Sequence, residues 1–164
     1  MTDATFVGRR VAHEAVQVHT APAREIFPLL CPVREAEWVP GWKHRMVYSA
    51  SGLAEPGCVF ATPNDDGTES IWLCTEHDRE RQRVCYVWVW PGMIATRLEF
   101  ALAAAGEGCR MTVRYEYTAL SDAGDREAQG YDRGWFDQKV RRLEAALKHF
   151  LREGTCLGTQ AAVE

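Results

Sequence analysis

Lys139 is the side chain of this sequence best placed to act on a bound molecule. It lies about 40° from Leu143 on a helical wheel, near the edge of an apolar helical stripe. The ordinary interpretation is a lysine whose methylene stem covers apolar surface while its ammonium group reaches water. The alternative is a cation at the wall of a cavity, where it could hold the carboxylate or enolate of a ligand.

Other acid–base groups are few. Three carboxylates could supply a general base if the fold buries them, although carboxylates near loops are usually solvated: Glu35, Glu37 and Glu76. His44 and Tyr48 stand four residues apart in a predicted strand and therefore share one face. Beside Trp42, His44 could act as an acid or base near a cavity mouth, although an exposed histidine is the commoner outcome. We assign no residue as catalytic.

The motifs that hold metals and nucleotides do not occur. The sequence contains no HExxH, no facial set of carboxylates and histidine, and no cysteines paired at metal-binding spacing. Its turn glycines lack the spacings of nucleotide-binding loops, and no serine has the GxSxG setting. We therefore predict no metal and no cofactor.

Aromatic residues are numerous for a small sheet, and they fit either a ring-lined ligand pocket or a well-packed core. They are Trp38, Trp42, Tyr48, Trp72, Tyr86, Trp88, Trp90, Tyr115 and Tyr117. Within 84–90, Tyr86, Trp88 and Trp90 share one strand face and three small residues share the other, so neither face is polar. We favour an arrangement in which these rings point away from the core and form a homodimer contact, because the outer faces of the neighbouring strands are predicted to be polar and solvent-exposed.

A long amphipathic helix from about Asp132 to Gly154 is the element that the other segments must cover. Its apolar residues fall within one narrow stripe: Phe136, Val140, Leu143, Leu147, Phe150 and Leu151. Asp132 is a suitable N-cap and Gly154 a suitable left-handed C-cap. Gly130 and Gly134 are poor helix residues, so the first turn is expected to begin later or to carry a kink.

The preceding segments predict one strand, two short helices and then six strands. The first strand is 10–20, and the short helices are 24–30 and 33–38. The later strands alternate with turn residues and occupy 44–51, 58–62, 70–77, 83–90, 95–104 and 110–119. Their short connections require antiparallel pairing. The last two strands are apolar on one face only, and the C-terminal helix is the element long enough to cover that face.

This order of elements resembles the START/SRPBCC superfamily, in particular its bacterial polyketide cyclase/dehydrase-like and lipid-transport-like members. The most specific segment is Cys31-Pro-Val-Arg-Glu-Ala-Glu-Trp-Val-Pro-Gly-Trp42, and Trp72, Pro91-Gly92 and Tyr115-Glu-Tyr-Thr-Ala-Leu120 are similar to the same branch. The resemblance implies an α+β helix-grip fold, in which a curved antiparallel sheet of about seven strands wraps around the long C-terminal helix. It also implies a cavity that in relatives takes up lipids, sterols or polyketides. It does not imply a reaction.

Length, charge and cysteine content narrow the remaining possibilities. We expect one domain over residues 1–164, with a core of about 10–153 and short flexible tails. The six cysteines are expected to be reduced thiols, since they show no disulfide-like pattern. The net charge of −4 has no basic stripe, and there is no apolar signal or spanning segment. We predict a cytoplasmic protein with no nucleic-acid partner and no stable membrane insertion.

The leading prediction is a protein that binds an apolar or aromatic small molecule between the sheet and the helix. The predicted ligand-binding residues are Trp38, Trp42, Tyr48, Trp72, Phe100, Tyr115, Tyr117, Phe136, Lys139 and Val140. The alternative is an enzyme of the cyclase, aromatase or dehydratase type that uses the same cavity. A third possibility is a protein-interaction module that uses the aromatic face of strand 84–90.

Overall fold

A computed structural model describes residues 5–158 of the chain. The strands are β1 (Arg10–His19), β2 (Arg45–Tyr48), β3 (Val59–Pro63), β4 (Glu69–Asp78), β5 (Arg83–Trp90), β6 (Ile94–Ala105) and β7 (Gly108–Ala119). The α-helices are α1 (Ala23–Ile26), α2 (Pro32–Glu35), α3 (Asp122–Ala128) and α4 (Arg133–Glu153), and a 3₁₀ turn spans Phe27–Leu30. The outer ends of the predicted flexible tails, residues 1–4 and 159–164, lie outside the described residues, and the single-domain assignment stays a prediction.

The seven strands form one antiparallel sheet in the order β1-β7-β6-β5-β4-β3-β2. Consecutive strands are neighbours except that β1 pairs with β7, the last strand of the chain. The predicted α+β helix-grip architecture is confirmed, with the two short helices after the first strand. β2 is shorter than predicted, and its pairing with β3 shifts register between Met46 and Tyr48.

The helix α4 packs on one face of the sheet and completes the core. Phe136 and Leu147 have no exposed surface. The side chain of Asp132 accepts a hydrogen bond from the Trp135 backbone N–H at 2.8 Å, and Gly154 ends the helix in the left-handed region at φ 71°. The helix therefore begins at Arg133 in spite of the glycine that follows, because the cap satisfies the first turn.

The helix α3 was not predicted from the sequence. The Ser121 hydroxyl caps it by accepting the backbone N–H of Gly124 at 3.1 Å, and the same hydroxyl donates to the carbonyl oxygen of Gly92 at 2.6 Å. A short segment with an internal glycine has low intrinsic helix propensity, so tertiary packing on β7 determines its structure.

The preferred orientation of β5 was wrong, because its rings face the helix side of the sheet. Tyr86 is 2% exposed, and its hydroxyl donates to the carbonyl oxygen of Leu30 at 2.8 Å. Trp88 stacks on Trp72 with ring centroids 3.9 Å apart. The outer face of β5 therefore carries small residues and offers no aromatic patch. A homodimer stays a prediction, but it loses the contact surface on which it rested.

Two sequence predictions concern features that the structure also addresses. No disulfide joins the six cysteines, all of which lie within residues 5–158, and five of the six are buried. No helix in that part of the chain is long and apolar enough to cross a membrane.

Candidate functional site

A cavity of about 250 Å³ lies between the sheet, α4 and the segment that follows α2. Its walls are predominantly apolar. Seven of the ten predicted site residues line it: Trp38, Trp42, Trp72, Phe100, Tyr115, Lys139 and Val140. The remaining wall consists of Gln17, Glu35, Val39, Tyr86, Trp88, Leu98, Met111, Val113 and Leu143. The structure thus brings most of the predicted set together, while their role in ligand binding stays a prediction.

Tyr48 does not border this cavity, contrary to the sequence prediction. The irregularity in β2 falls between Met46 and Tyr48, and it leaves the Tyr48 side chain 62% exposed. His44 is also absent from the cavity wall; its ring stacks on Trp42 with centroids 6.5 Å apart. Neither His44 nor Tyr48 therefore borders this cavity.

Two other predicted site residues lie behind the cavity wall. Phe136 is fully buried and packs edge-on against Tyr115, with centroids 5.8 Å apart, and it also stacks on His13. Tyr117 is 2% exposed and stacks on Tyr115, with centroids 5.5 Å apart. Both residues pack against Tyr115 and do not line the cavity themselves.

Four tryptophans line the cavity: Trp38, Trp42, Trp72 and Trp88. The indole N–H groups of the first three donate to acceptors outside it: Trp38 to the carbonyl oxygen of Leu29 (2.9 Å), Trp42 to that of Pro32 (2.8 Å) and Trp72 to Oγ1 of Thr62 (2.8 Å). Buried indoles whose polar atoms are already paired have fixed orientations. A ligand would therefore meet a preformed aromatic wall, and its polar groups would need other partners.

Lys139 is the cation of the cavity wall. Its Nζ lies 4.4 Å from the ring centroid of Tyr115, 5.2 Å from that of Trp135 and 3.4 Å from the Tyr117 hydroxyl. Within residues 5–158, no carboxylate oxygen lies within 4.0 Å of Nζ. Burial lowers the pKa of Lys139 to about 8, because the ammonium loses hydration that no anion replaces. The geometry thus supports the second of the two interpretations of this lysine.

Glu35 is the carboxyl group of the cavity. It ends α2 and borders the same cavity as Lys139. Burial raises the pKa of Glu35 to about 8, so this carboxyl is mostly protonated at neutral pH. The other two candidate carboxylates lie outside the cavity, where Glu37 pairs with Arg34 at 2.8 Å and Glu76 pairs with Arg83 at 3.2 Å.

Comparison with solved structures finds the same arrangement in several proteins. Ara h 8.0201 is 17% identical with a TM-score of 0.61, over 87% of this chain and 98% of its own. A truncated norcoclaurine synthase from Thalictrum flavum is 12% identical with a TM-score of 0.67, over 91% of this chain and 98% of its own. Protein MLL2253 from Mesorhizobium loti is 20% identical with a TM-score of 0.58, over 86% of this chain and 98% of its own. The chain has the helix-grip fold that these proteins share.

The similarity of this chain to the helix-grip proteins was found by comparing three-dimensional structures. No family model matches the sequence, and no curated protein matches it. The Thalictrum synthase has also been solved in complex with dopamine and hydroxybenzaldehyde, in a structure that is 12% identical with a TM-score of 0.62 over 85% of this chain and 87% of its own. At such identities the comparison establishes the fold, and function depends on the residues of the site.

One polar residue of the helix-grip cavity was missed by the sequence analysis. Gln17 is 2% exposed; its Nε2 donates to the Val140 carbonyl oxygen at 3.2 Å, and its Oε1 lies 2.9 Å from His19 Nε2. A signal was present, because His13, Gln17 and His19 occupy alternate positions of β1 and so share one face. Polar residues at regular spacing on a face that must be covered indicate buried hydrogen bonds.

The substitution Glu35→Gln should stabilise the protein at pH 8 and change its stability little at pH 5. The pKa of Glu35 is about 8 when folded and 4.5 in the unfolded chain, so the folded state holds an extra proton between these values. Stability therefore falls as the pH rises through this window. Removing the ionisable group should raise the free energy of unfolding by on the order of 2 to 4 kcal/mol at pH 8.

Urea unfolding at pH 5 and pH 8 would measure this difference, with Glu37→Gln as the matched surface control. Lys139 does not obscure the result, because its pKa lies near 8 when folded and at 10.5 when unfolded. Its destabilising effect is therefore constant below pH 8 and is relieved only at higher pH. An equal effect of Glu35→Gln at both pH values would show that the carboxyl is not held protonated by burial.

Proposed function

We propose that this protein binds an apolar or aromatic small molecule in the cavity between the sheet and α4. The observation that carries the proposal is the ring-lined cavity itself, in which Trp38, Trp42 and Trp72 have no unpaired N–H group to satisfy. Small-molecule sites are predominantly apolar and contain a few polar groups that fix orientation. Glu35 and Lys139 are such groups.

The cavity size favours a compact ring system over a long-chain lipid within this ligand class. Its volume of about 250 Å³ lies near the lower end of the range of roughly 300 to 1,000 Å³ for ligand pockets. The aromatic molecules bound by the Thalictrum synthase are of this kind. A cytoplasmic location and a homodimer belong to the same proposal, although the cavity requires neither.

An enzyme of the cyclase, aromatase or dehydratase type is the second candidate, and one observation favours it. Glu35 and Lys139 line one cavity, and burial brings the pKa of each to about 8. Groups that titrate near the working pH can both donate and accept protons, as general acid–base chemistry requires. Among the acid–base candidates of the sequence, which were Lys139, His44, Tyr48 and a buried glutamate, Lys139 and Glu35 would carry these roles, because they line the cavity.

Filling the cavity tests the binding proposal. The neutral fluorescent probe N-phenyl-1-naphthylamine should bind saturably to the wild-type protein, with a change in tryptophan emission. Leu143→Trp places a large ring at the cavity wall and should lower the affinity for the probe by about tenfold or more. A tenfold change in affinity corresponds to 1.4 kcal/mol. Ala145→Trp, on the exposed face of the same helix, should leave the affinity unchanged.

Two results would contradict the proposal. One is the absence of saturable probe binding to the folded wild-type protein. The other is equal binding by the wild-type protein and by Leu143→Trp, provided that circular dichroism shows that the variant is folded. The second result would place the probe on the protein surface.

A further inference from the structure

Lys139 differs from the other lysines of this protein in its surroundings. The chain contains only three lysines, and Lys43 and Lys148 are exposed on the surface. Lys148 forms an ion pair with Glu144 at 2.7 Å. Lys139 instead borders an aromatic cavity, and the hydroxyl of Tyr117 is the polar atom 3.4 Å from its Nζ. An amine without a carboxylate partner in an apolar wall can lose its proton at low cost.

Tyr117 keeps this environment uncharged. Burial raises the pKa of Tyr117 far above neutrality, so its hydroxyl remains protonated. The Tyr117 hydroxyl can accept one N–H of Lys139 without fixing a positive charge on it. The Glu35 carboxyl, which lines the same cavity, has a pKa near 8 as well. Near pH 8, a fraction of the protein therefore holds a neutral amine and a carboxylic acid in one site.

We propose that Lys139 captures an apolar or aromatic aldehyde in the cavity as a reversible imine, with Glu35 as the group that transfers protons. This inference rests on the proposed function, because the aldehyde must first enter the cavity. It names the reactive group of the ligand and a covalent step that binding alone does not require.

The step needs no oxidant and no further reactant. The lone pair of neutral Nζ attacks the carbonyl carbon, a C–N bond forms, and the C=O π pair moves to oxygen. The nitrogen loses a proton and the oxygen gains one, which gives a carbinolamine. Glu35 then donates its proton to the departing hydroxyl, water leaves, and the nitrogen lone pair forms the C=N bond. The iminium nitrogen returns one proton to the Glu35 carboxylate, so an aldehyde and an amine become an imine and water.

An aromatic aldehyde suits the cavity because it is neutral and can stack on the ring-lined wall. A carboxylate ligand would instead pair with the ammonium form of Lys139 and would form no imine.

Reductive trapping tests the proposal. The wild-type protein would be treated with 2-naphthaldehyde and sodium cyanoborohydride, and the modified residues would be located by peptide mass spectrometry. We expect Lys139 to be labelled at least about tenfold faster than Lys43 or Lys148, which serve as internal controls. N-phenyl-1-naphthylamine should slow the labelling of Lys139 and not that of the surface lysines.

Variants separate this inference from the proposed function. Lys139→Arg should abolish the selective label, because guanidinium does not act as an amine nucleophile. Lys148→Arg should retain the label at Lys139. Equal labelling of all three lysines in the wild-type protein would overturn the imine proposal, and intact probe binding in that case would leave the proposed function standing. If the wild-type protein showed neither selective labelling nor probe binding, both the imine proposal and the proposed function would be overturned.

Discussion

Truncation of Leu147 to alanine should destabilise the protein by about 2 to 5 kcal/mol. Leu147 has no exposed surface and belongs to the core cluster that joins α4 to the sheet. The loss combines the transfer free energy of the removed methyl groups with the cost of the cavity that they leave. Urea or thermal unfolding, followed by circular dichroism, would measure it.

Leu143→Ala is the matched control for this prediction. Leu143 lies one turn earlier on α4, is only half-buried and already borders the ligand cavity. Its truncation enlarges an existing space, so we expect a loss of about 1 to 2 kcal/mol. Equal losses at the two positions would show that Leu147 does not lie deeper in the core than Leu143.

Gly124→Ala should destabilise the protein, by about 1 to 3 kcal/mol, although alanine is the better helix former. A Cβ atom at Gly124 would lie 1.9 Å from the carbonyl oxygen of Met93. That carbonyl is part of the backbone of the β5–β6 turn and accepts the N–H of Leu120, so it cannot move away freely. The expected result is a lower urea midpoint, with α3 displaced from the sheet.

Gly134→Ala should change the stability in the opposite direction, and it is the control for Gly124→Ala. A Cβ atom at Gly134 would meet only the Asp132 carboxylate oxygen at 3.4 Å, which is an ordinary contact. Alanine in the first turn of α4 should therefore stabilise the protein by up to about 1 kcal/mol. If Gly124→Ala raised the midpoint as Gly134→Ala is expected to do, the close approach of α3 to the β5–β6 turn would be incorrect.

The parts of the fold that were predictable from the sequence are those with an unambiguous period. The stripe from Phe136 to Leu151 matches a helix with one buried side, and its caps at Asp132 and Gly154 are local features. In β6 and β7, apolar and polar residues alternate strictly, so one face had to be the covered face. The helix–sheet architecture follows from these two observations, since each apolar surface needs the other.

Other parts depended on information that no local pattern contains. In β5 both faces are apolar. The alternation of side chains therefore shows which residues share a face, but it does not show which face is buried. The irregularity in β2 changes the direction of Tyr48 and cannot be recognised from residue types. Glu35 and Glu37 lie two residues apart, and only the placement of α2 in the fold brings Glu35 to the cavity. The ten-residue site prediction was therefore strongest for residues on regular elements.

The pairing of β1 with β7 has a consequence for the order in which the protein can assemble during synthesis. β1 leaves the ribosome before the other six strands, but its neighbour in the sheet is β7. The sequence separation of about ninety residues between their nearest ends means that β1 remains an open edge until β7 has been synthesised. The strands β2 to β7 can pair in the order of their synthesis, whereas the cavity gains Lys139 only afterwards. A ligand of this cavity would therefore meet its complete binding site only after α4 has been made.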